Sequence, residues 1–444
     1  MSESSSYATL SRAQQIIARC RELALCSEAE GETTRTFLAP SMHRVHALLS
    51  GWMKAAGMQV RIDAAGNLRG VLPAEAPGAP RILIGSHLDT VADAGAFDGV
   101  LGVVLGVSLV EDYIQQVRAG LPSAAQLPFS IEVIGFSEEE GVRFAKPFLG
   151  SLALIGELDA ATLARTDCNG VSVADAIRHF GLDPAELPAT VVDDSACAYV
   201  EFHIEQGPVL DSEGLSLGVV HAIAGQTRMQ LIFTGQANHA GTTPMGPLRR
   251  DALAAAAHWI VEVERYANGR HGLVATAGKL ETIGGASNVI AGNAVVTLDV
   301  RHARDEIRHS AIAHFLDAAQ TAASARGVTV THSIWLDQPA VAMDSDLTAL
   351  LADATTRAGH AVRLMTSGAG HDAMIVARRV PSALLFLRTP GGLSHHPSET
   401  VLPVDIEAAL ATGVEFLHLL RDDRAMLERS ATGTSQRKRE DIHA

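Results

Sequence analysis

At 444 residues the chain exceeds what one ordinary hydrophobic core holds, so two domains are expected. Apolar residues make up 47% and charged residues 19%, which excludes general disorder. Lysine and arginine total 35 against 50 aspartates and glutamates, a net charge of −15 that repels phosphate backbones and anionic lipid, so neither nucleic acid nor a membrane is an expected partner.

The N-terminal MSESSSYATL has neither the basic start nor the apolar core of a secretory signal, and no run is expected to cross a bilayer. Cys20, Cys26, Cys168 and Cys197 form no CxxC pair and are too sparse to staple the chain; they read as reduced thiols of a cytoplasmic protein. From Ser11 to about Gly57 the apolar spacing is helical. Short apolar runs follow at 81–85, 129–136, 198–204 and 382–387, each reading as a mostly buried strand, with a buried helix predicted from Gly99 to Tyr113. Strand, helix, strand in that order implies a largely parallel sheet.

The middle third alternates differently. Strands are predicted at 228–234, 273–282, 294–301 and 328–335, and Ala-rich helices at 248–266 and 304–325. The order β-α-β-β-α-β is that of a ferredoxin-like unit. Because sheet strands resume at Ser382, the expected fold is α/β: a discontinuous, mostly parallel-sheet catalytic domain over 1–224 and 337–425, interrupted by an α+β domain over 225–336. The polar stretch 426–444 is expected to be a disordered tail.

Chemistry collects where the strands end. His87, Asp89 and Asp98 follow the first run, Glu138, Glu139 and Glu140 the second, and Glu205 and Gln206 follow His203 at the third, while Ser394-His395-His396 comes after the fourth. Ligands of open α/β sheets bind at the carboxyl ends of the strands, so these groups are expected to converge. Imidazoles and carboxylates together suit divalent zinc, manganese or cobalt, and one aspartate can bridge two ions. Ser394 lacks a G-x-S-x-G elbow, no Walker A loop is present, and the glycines near 95–106 miss the G-x-G-x-x-G spacing; serine hydrolase and nucleotide-binding chemistry are not supported.

The motifs GSHLDTV with FDG, SEEEGVRF, HIEQGPVL, NHAGTTPM followed by RRDA, SNVIAGN, DVRH, SGAGHDAM and GGLSHHPSE stand in the order seen in the hydantoinase/carbamoylase amidases. From about Ala64 to Glu399 the chain resembles this branch of the M20 metallopeptidase superfamily, which holds N-carbamoyl-L-amino acid hydrolases, allantoate amidohydrolases and β-ureidopropionases. The resemblance implies a metal set of His87, Asp98, Glu140, His203 and His395, with Asp98 bridging two divalent ions. It implies Glu139 as the general base, Gln206, His239, Asn288 and Arg301 as substrate contacts, and His239 as a donor to the oxyanion, acting from the partner subunit of a homodimer. The middle domain would then be lid and dimer interface. The expected substrate is a small ureido acid, an N-carbamoyl-L-amino acid or allantoate, cleaved at its ureido C–N bond with release of ammonia. A dipeptidase or aminoacylase would share the metal set; a silent binding protein on the same scaffold would be expected to have lost ligands, and all five stand here.

Overall fold

The computed structural model describes residues 10–119 and 127–428. The chain divides into a larger unit of Met1–His221, Met343–Met365 and His371–Ala444 and a smaller one of Ala222–Ala342 with Thr366–Gly370. The smaller unit is a few residues wider than the expected 225–336 and takes in a short separate segment.

In the larger unit, Ser11 opens the Arg12–Ala24 helix with a reciprocal capping box to Gln14, and a second helix runs from Pro40 to Ala55. The single helical region read from 11 to 57 is therefore two helices with a loop between. The sheet runs in the order Gln59–Ile62, Leu68–Leu72, Ser130–Phe136, Arg81–His87, Ala196–Ile204, Ser382–Leu387, Leu217–Ile223. Its four middle strands are mutually parallel, whereas the flanking strands pair antiparallel. Both faces of the middle strands are covered, which is why the 196–204 and 382–387 strands are buried at every position rather than at alternate ones. The Val100–Arg118 helix, placed by sequence at 99–113, packs its Val and Leu side chains into this core. It is long and apolar enough to cross a membrane, against the expectation that no run would be, and most of it is buried inside the protein. Parallel pairing points the carboxyl ends of the four middle strands the same way, and His87 stands in register with Phe136, His203 with Phe386.

The smaller unit has the chain order β-α-β-β-α-β and an antiparallel sheet ordered Thr329–Gln338, Gly225–Thr234, Asn293–His302, Val274–Ile283. Residues of the two middle strands alternate buried and part-exposed. One face packs Met229, Leu231, Phe233, Val296 and Leu298 against Trp259 and Phe315 of the Ala252–Asn268 and Asp305–Ser324 helices. The first of these helices was expected from Leu248; Asp251 caps it, accepting from the Ala254 N–H, so it starts at Ala252. A two-residue strand, Asn238–His239, pairs with Val289–Ile290.

The four cysteines are free. The first residues of the expected tail are ordered: Leu427 packs in the core, and residues 429–444 lie outside the described ones.

Candidate metal centre

Residues from all four parallel strand ends meet in the larger unit. The Nε2 atoms of His87 and His203 face each other at 3.3 Å, and Asp98 Oδ1 lies 3.4 Å from His203 Nε2. The other oxygen of Asp98 is 3.2 Å from His395 Nε2, which is 3.6 Å from Glu140 Oε1. Among four groups of potential ligands, His87–Asp98–His203 and Asp98–Glu140–His395 form two triads that share the Asp98 carboxylate, and His87–Glu139–Glu140 and Glu201–His203–His371 adjoin them. His396, the other candidate of the SHHP motif, accepts the Ser398 N–H instead and is exposed.

The donor set fits a cation. His87 Nδ1 lies 3.0 Å from the Asp89 carbonyl and His203 Nδ1 2.9 Å from the Ile204 carbonyl. A carbonyl only accepts, so each Nδ1 carries the hydrogen, and in neutral rings both Nε2 atoms present lone pairs to each other. A proton or a cation must lie between them. Glu140 Oε1 is likewise buried with no hydrogen-bond partner.

Electrostatics agree with that reading. Burial would raise the Asp98 carboxyl, but the hydrogen bond from His395 and the charges of His203 and His87 outweigh it and hold the group well below the usual carboxylate range. Burial lowers His203 to about 4. His87 also feels burial, yet Asp89, Glu139 and Asp98 push it well above the ordinary histidine value. Burial, with Asp98 behind it, lifts Glu140 to about 7. Glu139 is held well above the carboxylate range by burial first, with Glu140, Asp372 and Asp89 reinforcing it and His87 opposing. Three consecutive glutamates are usually a solvated run; here Glu138 and Glu139 are buried and the Glu140 side chain is 9% exposed.

Local sequence explains the geometry. Asp89 accepts the N–H groups of Glu139 and Glu140, each at 3.0 Å, through its two carboxylate oxygens. It thus holds His87 with its backbone carbonyl and the glutamate turn with its side chain. Gly99, at φ +66°, begins the helix after Asp98; a Cβ there would sit 2.5 Å from the His87 ring.

Three residues escaped the sequence reading. Glu399 accepts the N–H groups of Phe97 and Asp98 through Oε1, at 3.0 and 3.1 Å, and the Ser394 hydroxyl through Oε2. It clasps the Asp98 loop to the His395 loop, and a Cβ on Gly95 would strike it at 2.4 Å. Glu399→Ala is expected to weaken metal binding by about 10–100-fold, the usual cost of losing an outer partner, when metal content and affinity are measured on the purified protein. Glu201 accepts from the Ser86 hydroxyl, the Tyr199 hydroxyl and the Ala373 N–H, which engage three of its four lone-pair positions. A carboxylate inside a fully buried strand was the signal for it. His371 packs edge-on against His203 with ring centroids 4.4 Å apart.

The substrate contacts implied by resemblance fall into separate places. Gln206, at φ +59°, donates from Nε2 to both oxygens of Asp98 at 3.0 and 3.1 Å and stands among the clustered histidines and carboxylates. His239 and Asn288 meet on the small two-stranded ribbon, where the Ala240 N–H donates to the Asn288 carbonyl. Arg301 lies on the Asn293–His302 strand, eight residues beyond the end that adjoins the ribbon, or roughly 27 Å at the rise of an antiparallel strand. Three of its five N–H donors are engaged: Nε and Nη2 bond Asp299, and Nη1 bonds the Gly368 carbonyl.

Among known proteins, the Peptidase family M20/M25/M40 profile matches residues 83–421. Allantoate deiminase 2 of Glycine max is 38% identical over 436 residues, covering 91% of this chain and 89% of that protein. N-carbamoyl-L-amino acid amidohydrolase of Geobacillus stearothermophilus is 36% identical, covering 88% and 93%. The crystal structure of a hydantoinase/carbamoylase family amidase from Burkholderia multivorans superposes with a TM-score of 0.84 at 29% identity, over 92% of this chain and 97% of that one.

Proposed function

This chain belongs to peptidase family M20/M25/M40, as a hydrolase of non-peptide carbon–nitrogen bonds, and from that premise we propose that it cleaves the ureido bond of a small ureido acid, the class that holds allantoate and the N-carbamoyl-L-amino acids. The observation that carries the proposal is the single carboxylate of Asp98 shared by two ligand triads. Two divalent ions there, zinc, manganese or cobalt, would be held by His87 and His203 on one side of Asp98 and by Glu140 and His395 on the other; when bound they polarise a carbonyl and let water ionise near neutral pH.

The chain's own groups do the rest. Glu139 takes a proton from the attacking water and returns it to the leaving nitrogen as the C–N bond breaks. Its carboxyl is buried, and burial, with the charges of Glu140, Asp372 and Asp89, raises its pKa well above the carboxylate range against the opposing charge of His87, so it holds a proton more readily than an exposed glutamate does. Arg301 and Asn288 hold the substrate carboxylate, the guanidinium through the edge that Asp299 leaves open. His239 donates to the oxygen that gains charge, and Gln206 steadies the substrate beside Asp98. A carbamoyl amino acid then yields the amino acid, ammonia and carbon dioxide.

Reach supports a homodimer as the working form. Arg301 stands roughly 27 Å along its strand from Asn293, the end next to the His239–Asn288 ribbon, a length no small ureido acid spans. A second copy supplies one of the two sets, and the smaller unit serves as lid and dimer interface. Its edge strand Val274–Ile283 leaves Val274, Leu280 and Ile283 exposed, a surface suited to pairing with a second chain. A cytoplasmic location agrees with four free cysteines.

The function is tested by metal-dependent ammonia release from allantoate and from a panel of N-carbamoyl amino acids, compared with dipeptides and acylated amino acids. Release from the ureido compounds alone is the expected result; cleavage of the amides alone would replace this reading with that of a peptidase. The dimer is tested by mixing. His239→Ala and Arg301→Ala proteins, each inactive alone, are expected to regain activity when subunits exchange, because the mixed dimer keeps one intact site. No recovery in a verified mixed dimer would refute action across subunits.

A further inference from the structure

The turn that follows the Asn238–His239 strand is built around one imidazole. The backbone N–H groups of Gly241 and Thr242 both donate to His239 Nδ1, at 3.1 and 3.2 Å. A ring nitrogen that accepts carries no hydrogen, so the neutral ring holds its proton on Nε2. Asn238 Oδ1 accepts the His239 N–H at 2.8 Å, and the Thr243 N–H returns to the His239 carbonyl at 3.2 Å.

Those two amides aim at Nδ1 only while the turn keeps its shape, and Asn238, His239, Gly241 and Thr242 are all exposed, so burial does little to keep it. Arg249 supplies the restraint. Its Nη2 donates to the Ala240 carbonyl at 2.7 Å and to the Thr243 carbonyl at 3.0 Å, closing the turn from both sides of the Gly241–Thr242 pair. One guanidinium nitrogen therefore fixes the peptide plane that carries the Gly241 N–H and the plane that follows Thr243, one on either side of the Thr242 amide.

We propose that Arg249 is a positioning residue for His239: by clamping Ala240 and Thr243 it keeps two backbone amides on Nδ1 and so fixes His239 as a neutral Nε2–H donor. The consequence for turnover rests on the reading of His239 as the oxyanion donor, whereas the tautomer does not. An Nε2 lone pair would repel an oxygen that gains negative charge; an Nε2–H presents a proton to it with no rearrangement during the reaction. His239 in this state is a donor and not the general base, which leaves that part to Glu139.

The tautomer is read on the full-length protein labelled with nitrogen-15 histidine, by long-range proton–nitrogen correlation, with His239→Gln assigning the signal by its loss. Wild-type protein is expected to show the Nε2–H form. Arg249→Met, which keeps the aliphatic stem and loses the donors, is expected to show both tautomers and a kcat lower by about tenfold at unchanged KM. Arg249→Lys, whose ammonium reaches both carbonyls, restores the single tautomer and most of the rate. Matched thermal melts keep this a comparison of folded proteins. An Nδ1–H ring in the wild type, or an undisturbed Nε2–H ring in Arg249→Met, overturns the proposal. Full turnover by His239→Ala would instead overturn the part of His239 in the reaction and leave the clamp standing.

Discussion

Glu139→Gln is expected to keep its bound metal and lose about 10²–10⁴-fold in kcat, with KM little changed. Glutamine has the size of glutamate and cannot carry the proton between water and leaving nitrogen. The side chain is buried, and its carboxyl sits well above the usual range because burial and the charges of Glu140, Asp372 and Asp89 disfavour ionisation. An amide cannot ionise against Glu140, and the substitution leaves the proposed ligands His87, Asp98, Glu140, His203 and His395 unchanged. Metal analysis and steady-state kinetics on the same preparation separate the two effects. Wild-type kcat in a metal-loaded Glu139→Gln protein would remove Glu139 from the mechanism.

Asp98→Asn is expected to lose more than turnover. Asp98 is the one carboxylate common to both triads, with one oxygen toward His203 and the other toward His395. An amide offers one oxygen and no charge, so both metal positions weaken together, by more than the 10–100-fold typical of an outer partner. Asp93→Asn is the control from the same loop. Asp93 belongs to neither triad, and its N–H is held by the Thr34 hydroxyl. Calorimetric titration of both variants with zinc or manganese is expected to show near-normal binding for Asp93→Asn and little for Asp98→Asn. Equal impairment would refute the bridging assignment of Asp98.

The residue types of the centre were legible because each lies at or beyond the carboxyl end of a strand, and strands announce themselves as short apolar runs between glycines. Parallel order could be read as well, since strand–helix–strand connections force it, and it explains why His87, the glutamate turn, His203 and the loop with His395 come to one edge. The edges of the sheet were less legible, because antiparallel partners such as Leu68–Leu72 and Leu217–Ile223 carry no periodicity that distinguishes them from central strands. The helix starting at Ala252 rather than Leu248 shows the same limit: apolar content ran on past the cap, and only the Asp251 side chain bonded to Ala254 ends it.

By itself, then, the sequence determined that histidines and carboxylates cluster at the ends of four apolar runs, because that pattern is local to motifs of a few residues. Tertiary structure alone decided how they are held. The Phe97 N–H donates to Glu399, 302 residues away, and no spacing encodes such a bond. Asp89 divides its work between backbone and side chain, His239 has its hydrogen placed by two amides that Arg249 secures, and Arg301 stands far along a strand from the His239 ribbon. Hydrogen bonds and reach are set by distance in space, and a chain that folds back on itself leaves that distance unwritten in its order.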